Sequence, residues 1–194
     1  MSMPHRQPRF DAAAYLEWEQ QHSERHEYVA GEVFAMTGAT DAHVTVTLNL
    51  ASLLRAYMRG TPCRVYMADM KLQVATADAF FYPDVFVTCA EADHRQKHYK
   101  TAPVLIVEVL SDSTAAYDRG RKFSLYRQLP SLREYVLIDP TTFSVDVFRR
   151  GEDGHFVLYP FAAGERVELA SMEYAVPIEE LYEDVRFGIE GAGD

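Results

Sequence analysis

The sequence predicts an α/β or α+β protein of one domain, in which a mixed β-sheet has helices packed against it. Three observations lead to this prediction. The chain has 194 residues, which is enough to bury a core without disulfide staples. Its composition is ordinary for a globular protein, with 48% apolar and 25% charged residues. Helix-like and strand-like segments follow in the order helix, hairpin, helix, several strands, helix, several strands.

The first half of the chain predicts two helices, a hairpin and a series of strands. Asp11 is a suitable N-cap for the helix AAAYLEWEQQ, and EYVAGEVFAM is typical of a hairpin that turns at Ala30-Gly31. A longer amphipathic helix is predicted over residues 41–58. Its apolar face would be formed by Val44, Leu48, Ala51, Leu54 and Met58. Strands are then predicted over residues 64–67, 71–74, 85–89 and 104–110.

The second half predicts one more helix and several antiparallel strands at the C-terminus. AEADHRQKHYK is expected to form a loop or a short exposed helix, and a later helix through residues 121–126 ends before Pro130. Strands are predicted for YVLID, FSVDVFRR, HFVLYP and RVEL, with a hairpin turn at GEDG and a short closing helix over residues 178–182. We assign residues 10–187 to the single domain, 1–9 to a flexible tail and 188–194 to a flexible C-terminus.

Charge and hydropathy restrict the classes of protein to which the chain could belong. Nineteen Lys and Arg against 29 Asp and Glu give a net charge of −10, which opposes loose electrostatic binding to nucleic acid, so a polyanion would need a local basic patch or a metal ion. No apolar stretch is long enough to cross a membrane and the start does not resemble a signal peptide, so we expect a cytoplasmic protein. Cys63 and Cys89 are expected to be buried as small hydrophobic residues.

Two carboxylates stand at unusual positions in apolar strands. Glu108 lies inside PVLIVEVL, a segment typical of a strand buried on both faces, where an uncompensated charge is costly. Asp84 follows Pro83 at the start of the preceding apolar strand. If the two strands are neighbours, both carboxylates can face one point. Mg²⁺ prefers oxygen ligands and takes one or two carboxylates from a protein, so this pair is a candidate metal site.

A lysine would complete the chemistry of a phosphate-cleaving site, because it can orient the attacking water or stabilise charge on the phosphate. Lys122 lies on the helix that directly follows the Glu108 strand and is the candidate. For Glu108 the alternative is a buried ion pair with Arg121 or Lys122, and for Lys122 the alternative is a solvated helix residue. Asp118 and Arg119 are interpreted as residues at the start of that helix, since Asp is favourable near the positive end of the helix dipole.

The segments YPDVFVTC and APVLIVEVLSDSTAAYDRGRKFSLYRQLPSLREYVLIDP closely resemble the Uma-two family of endonucleases, a branch of the PD-(D/E)xK superfamily. The resemblance extends from about Phe10 to the closing helix and includes EYVAGEVFAM and His43. It implies a restriction-endonuclease-like core, with a metal ion held by Asp84, Glu108 and the backbone carbonyl of Val109. A bound cation would then match the charge of Glu108.

The sequence departs from the superfamily pattern at Leu110, where a lysine is expected two residues after the glutamate. In this family a lysine on the following helix resembles a migrated substitute, and Lys122 has that position. Glu27 and His43 also match family positions and are carried over as further candidate catalytic residues. Asp69 and Lys71 on a middle strand are left out of the predicted site.

The resemblance implies a Mg²⁺- or Mn²⁺-dependent endonuclease that hydrolyses phosphodiester bonds in DNA and leaves a 5′-phosphate and a 3′-hydroxyl. The alternative, from a different class, is a catalytically silent binding or scaffold protein that keeps the nuclease fold. The acidic net charge favours this alternative. We expect a homodimer, because cutting two strands is commonly done by paired subunits.

Overall fold

The computed structural model describes residues 11–36 and 38–187. Both predicted flexible ends, residues 1–9 and 188–194, lie outside the described residues, as does the first residue of the predicted domain. Inside the described ranges the structure is a set of mixed and antiparallel sheets flanked by helices, as the sequence predicts. The helices found there are all too short or too polar to traverse a lipid bilayer.

Within the described residues, helices occupy Ala12–Glu19 (α1), Asp41–Tyr57 (α2), Glu91–Arg95 (α3), Ala115–Tyr117 (α4), Phe123–Tyr126 (α5) and Ile178–Leu181 (α6). The first seven strands are His26–Val29 (β1), Glu32–Ala35 (β2), Arg64–Met67 (β3), Lys71–Val74 (β4), Ala79–Phe81 (β5), Val85–Thr88 (β6) and Tyr99–Lys100 (β7). The others are Pro103–Val109 (β8), Glu134–Asp139 (β9), Ser144–Arg150 (β10), Phe156–Ala162 (β11), Arg166–Leu169 (β12) and Tyr174–Pro177 (β13).

Over the described ranges, the main sheet has six strands in the order β11, β10, β9, β8, β6, β3. Strands β8 and β9 are parallel, while every other neighbouring pair in this sheet is antiparallel. A second sheet has the order β2, β1, β5, β4, β7, and β12 and β13 form a separate antiparallel pair. The additional antiparallel strands predicted at the C-terminus are therefore present.

Strand β8 lies between two apolar layers, which explains its nearly continuous apolar sequence. On one face Val107 packs in a cluster with Leu50 and Leu54 of α2. On the other face Ile106 packs in a cluster with Phe81 of the second sheet and Tyr126 of α5. The strand is thus buried on both sides, as the sequence predicts, and Glu108 points into the second layer with 3% of its surface exposed.

Helix α2 begins after Thr40, whose side chain accepts a hydrogen bond from the backbone of His43. Its buried face agrees with the predicted one at three of five positions, since Ala51, Leu54 and Met58 are buried. Val44 and Leu48 are instead each 54% exposed, and Val46 and Leu50 are buried in their place. Both the predicted positions and the buried positions follow a spacing of three and four residues. Val44 and Leu48 lie at the margin of the buried face, so the apolar pattern alone does not show where the centre of that face lies.

The prediction that both cysteines are buried small hydrophobes is wrong. Cys63 and Cys89 are only half-buried and form a disulfide between chain segments next to β3 and β6. The register explains this pairing, because Arg64 lies opposite Thr88 in adjacent antiparallel strands. The residues just beyond that pair face each other with a Cα to Cα distance of 3.9 Å.

Several smaller predictions also need correction. Strands β5, β7 and β13 were not predicted. With three and two residues, β5 and β7 are too short to show an alternating pattern, whereas β13 was missed although it is as long as β12. The polar segment around α3 is not simply exposed. Asp93 within it is buried and accepts hydrogen bonds from the Thr88 hydroxyl and from the backbone of Thr101 and Ala102. These bonds fold the segment back onto the end of β6.

Glu134 at the start of β9 connects the main sheet to the turn before β13. Its carboxylate is fully buried and accepts from Arg149 Nε at 2.8 Å and from the backbone N–H groups of Ala170 and Ser171. Replacing one partner of a buried, hydrogen-bonded ion pair leaves the other groups without compensation.

We therefore expect Glu134→Ala to lower the free energy of unfolding by about 3 kcal/mol, measured by urea denaturation. Glu91→Ala is the matched control, since Glu91 forms an exposed pair with Arg95 at 3.3 Å, and it should cost less than about 1 kcal/mol. Equal small losses in both variants would contradict this role for Glu134.

Candidate functional site

The strand register places Asp84 and Glu108 side by side. Val85 of β6 lies opposite Val107 of β8, so the residue before Val85 and the residue after Val107 face each other across the antiparallel pair. The backbone N–H of Val109 donates to Asp84 Oδ2 at 2.7 Å and fixes that carboxylate at the start of its strand. The condition that the two strands be neighbours is therefore met.

Lys122 reaches the same point from the helical segment that follows β8. Its Nζ lies 2.9 Å from Glu108 Oε1, 2.9 Å from Glu27 Oε1 and 3.7 Å from Asp118 Oδ1. The side chain is 8% exposed, so this ammonium is largely removed from water. It is not the solvated helix residue of the alternative interpretation. Its contact with Glu108 is the buried ion pair that was the alternative interpretation for that carboxylate.

The local helix geometry directs Lys122 inward. Between α4 and α5 the residues Asp118–Lys122 form a π-helical turn, which is wider than an α-helical turn and is often found at functional sites. Asp118 and Lys122 are both buried there. Tyr135 of β9 donates to the backbone carbonyl of Asp118 at 3.0 Å, which ties the turn to the main sheet.

Glu27 comes to the site from the second sheet. It lies on β1, is mostly buried, and also accepts a hydrogen bond from the backbone of Tyr82 at 3.4 Å. Tyr126 of α5 donates its hydroxyl to Glu108 Oε1 at 2.9 Å. The oxygen of Glu108 that contacts Lys122 therefore has a second donor.

His43 stands at the edge of the cluster, in the first turn of α2. Its Nε2 lies 3.4 Å from Asp84 Oδ2. Burial alone would lower the pKa of the imidazole, but the contact with Asp84 and the nearby backbone of Val109 outweigh burial and raise the pKa of His43 above its usual value. The imidazole is thus held against Asp84.

Negative charge is in excess in this cluster. Glu27, Glu108 and Asp118 contact the ammonium of Lys122, while Asp84 lies beside Glu108 and contacts His43, so four carboxylates share one ammonium group and one imidazole. Burial, together with the neighbouring carboxylates, raises the pKa of Glu108 well above its usual value, and Lys122 opposes that shift. Burial would lower the pKa of Lys122, but the surrounding carboxylates raise it well above its usual value, so the lysine stays protonated.

The donor set suits a hard divalent cation. Hydrogen bonds and ion pairs in the described part of the chain use Oδ2 of Asp84 and Oε1 of Glu108, which leaves Oδ1 and Oε2 for another partner. No group of three or more His, Cys, Asp or Glu side chains within residues 11–36 and 38–187 is arranged to hold a metal ion. Two carboxylate ligands and a backbone carbonyl, completed by water and phosphate oxygens, are sufficient for Mg²⁺.

The structure brings together all five residues that the sequence analysis selected for their side chains. Glu27, Glu108 and Lys122 are in direct contact, and Asp84 and His43 adjoin them. Val109, selected for its carbonyl, contributes a backbone hydrogen bond to Asp84.

Two residues of the cluster were missed, Asp118 and Tyr126. The helix starts at Ala115, so Asp118 is not at its start as the sequence analysis had it; it is buried against Lys122. The four-residue spacing between Asp118 and Lys122 was the available signal. The aromatic pattern had assigned Tyr126 only to the core, and its hydroxyl could not be placed from the sequence.

Arg119, Asp69 and Lys71 lie outside the cluster. Arg119 contacts Asp146 at 2.7 Å, and Asp69 contacts Arg25 at 2.9 Å in an exposed pair. Lys71 lies over the ring of Tyr82, with its Nζ 5.3 Å from the ring centre.

One family model and two known proteins match this chain over most of its length. The Uma2 family model, described as "Putative restriction endonuclease", matches residues 12–178. Two uncharacterized proteins of Synechocystis sp. (strain ATCC 27184 / PCC 6803 / Kazusa) are similar to the chain. One is 34% identical over 180 residues, covering 93% of this chain and 95% of the relative. The other is 37% identical over 161 residues, covering 81% and 90%.

A solved structure also resembles this fold. It is described as a putative nuclease belonging to DUF820 from Anabaena variabilis ATCC 29413. The TM-score is 0.70 at 16% sequence identity, and the match covers 87% of this chain and 97% of that chain. The restriction-endonuclease-like fold predicted from the sequence is therefore confirmed.

The shared contacts of Lys122 lead to a prediction about stability. We expect Lys122→Met to cost about 3 kcal/mol in the absence of metal ions, because buried carboxylates lose their common cation. The double variant Lys122→Met/Glu108→Gln should recover about 1 kcal/mol of that loss, since it removes one stranded charge and keeps an acceptor for Tyr126.

Urea denaturation in chelator measures both effects. Lys97→Met is the control, because Lys97 is exposed and should change stability by less than about 0.5 kcal/mol. A double variant no more stable than Lys122→Met would show that the carboxylates do not depend on this lysine.

Proposed function

The chain belongs to the Uma2 family, and from that premise we propose that it is a Mg²⁺- or Mn²⁺-dependent endonuclease that hydrolyses phosphodiester bonds in DNA. The observation that carries the proposal is the position of Lys122. The strand itself has Leu110 where the superfamily pattern has lysine, and Leu110 is buried in an apolar cluster. Lys122 brings an ammonium group to within 2.9 Å of Glu108 from the following helix.

Asp84, Glu108 and the carbonyl of Val109 are the groups that would hold the metal ion. When bound, such an ion neutralises charge on the scissile phosphate and lowers the pKa of a coordinated water. The cluster has more carboxylates than cations, so it lacks the positive charge that a divalent ion provides. That deficit supports the assignment.

The side chains then have separate tasks. Lys122 donates hydrogen bonds that orient the attacking water and stabilise negative charge as it grows on the phosphate oxygens. Glu27 and Asp118 hold the ammonium in place, and Glu27 or His43 assists with the proton of the water. Water adds to phosphorus, the bond to the 3′ oxygen breaks, and the products are a 5′-phosphate and a 3′-hydroxyl.

The silent binding or scaffold protein remains the second candidate, and one observation favours it. Glu108 already accepts hydrogen bonds from Lys122 and Tyr126, which compensates part of its buried charge without a metal ion. The homodimer and the cytoplasmic location stay predictions. A disulfide such as Cys63–Cys89 is typical of oxidising compartments, so the location is the less supported of the two.

We expect wild-type protein with Mg²⁺ or Mn²⁺ to cut supercoiled or single-stranded DNA, and chelator to stop the reaction. Asp84→Ala and Lys122→Ala should each lower the rate by about 100-fold or more, because each removes a group that acts on the phosphate. Asp69→Ala and Lys97→Ala are matched controls, since both residues are exposed and outside the cluster.

Calorimetry separates metal binding from chemistry. Asp84→Ala should lose the heat of Mn²⁺ binding, whereas Lys122→Ala should keep it, because removing an ammonium makes the cluster more negative. Absence of cutting under every condition, together with absence of metal binding to folded wild-type protein, would favour the scaffold instead.

A further inference from the structure

A groove runs between α2 and the edge strand β3, which follow each other in the chain. The first turn of α2 contacts the carboxylate cluster through His43, and Met67 at the end of β3 lies opposite Val85, next to Asp84. The other ends of the two elements meet at the connection over residues 58–63. The lining of the groove therefore runs from Leu48 and Met67, on the side of the candidate active site, to the far end of α2.

The far end of this groove is lined by arginines. A cavity of about 450 Å³ lies there, and its polar lining includes Arg55, Arg59 and Arg64. All three residues are exposed, and none forms a hydrogen bond or ion pair through its side chain with any described residue. Among the described residues, no Asp or Glu lines the cavity. Three guanidinium groups thus share one concave surface with no carboxylate from the described part of the chain beside them.

The middle of the groove is apolar and continuous with the arginine cavity. A second cavity of about 210 Å³ is lined by Leu48 and Met67 among others, and it shares Arg55, Val65 and Tyr66 with the first cavity. Leu48 is 54% exposed and Met67 is 38% exposed. These exposed apolar side chains form a floor between the carboxylates and the arginines.

Elsewhere in this acidic protein, several arginines are engaged by carboxylates. Arg25 contacts Asp69, Arg119 contacts Asp146, and Arg149 contacts Glu134. With a net charge of −10, carboxylates are plentiful on the surface. The unpaired arginines of the groove are the kind of local basic patch that a polyanion requires on such a protein.

We propose that this groove binds the phosphate backbone of the nucleic acid whose scissile bond lies at the carboxylate cluster. This inference rests on the proposed nuclease function and specifies how the substrate is held. Val44 and Arg55 are three helical turns apart on the same face of α2, about 17 Å. That distance corresponds to roughly five base-pair steps along one strand.

Guanidinium groups bind phosphates, while the apolar floor contacts sugars. Contacts of this kind position the duplex and carry no sequence information. The groove therefore contributes affinity and orientation without base specificity.

The test measures binding of a fluorescein-labelled DNA duplex by anisotropy, in chelator and again with Ca²⁺, over a series of salt concentrations. The variant is Arg55→Ala/Arg59→Ala/Arg64→Ala. The control Arg127→Ala/Arg133→Ala/Arg186→Ala removes the same charge from three exposed arginines that line neither cavity. Circular dichroism confirms that both variants are folded.

We expect the groove variant to bind about tenfold more weakly than wild type, and its slope of log K against log salt to decrease by roughly 2 to 3. The control should keep most of the affinity and of the slope. Equal losses in the two variants, or no binding of DNA by wild-type protein in either condition, would overturn the proposal. So would loss of inorganic pyrophosphate binding with unchanged DNA affinity, which indicates a small-anion pocket.

A second assay tests the proposed nuclease activity separately from the proposed DNA binding by the groove. Cleavage of the small phosphodiester bis(4-nitrophenyl) phosphate needs only the carboxylate cluster, so the groove variant should match wild type. If wild type cleaves neither this compound nor DNA, the proposed nuclease function is wrong. The anisotropy experiment still shows whether the groove binds DNA.

Discussion

The arrangement depends on one buried ammonium group, that of Lys122. Its contacts come from three parts of the fold: Glu27 in the second sheet, Glu108 in the main sheet, and Asp118 in the same π-helical turn. A charge taken out of water is costly unless its partners are close and well aligned, so these contacts fix how the two sheets and the helical segment meet. The same contacts hold Lys122 beside Glu108, which faces Asp84 across the strand pair β6 and β8.

The main sheet supplies the other half of the site through its register. In β8, alternate residues face opposite layers, so Val107 packs on α2 while Glu108 faces the helical segment. A lysine at Leu110 would face the same layer as Glu108, because the two are two residues apart, but that position is filled by an apolar side chain. The ammonium therefore has to come from a neighbouring element.

Sequence patterns predicted the strands that carry Asp84 and Glu108, because buried strands have strong apolar runs and a carboxylate in such a run is conspicuous. They did not identify Asp118, because its four-residue spacing from Lys122 indicates a shared helix face but not burial, which depends here on the π-helical turn. They also placed Val44 and Leu48 on the buried face of α2. Helical spacing shows how wide the apolar face of a helix is. Which edge of that face is buried depends on how the neighbouring strands pack against the helix.

The exposed margin of α2 also bears on how the proposed nuclease would hold both a metal ion and a polyanion. Carboxylates capture nearby cationic side chains, as the cluster captures Lys122 and as Glu134 captures Arg149. An arginine placed beside Asp84 would compete with a divalent ion for the same oxygens. Arginines at the far end of the groove add no further competition, so they stay available to phosphates while Oδ1 of Asp84 and Oε2 of Glu108 stay available to a cation. In the proposed reaction, separation of the two charges along α2 would therefore let an acidic protein bind both a metal ion and a polyanion.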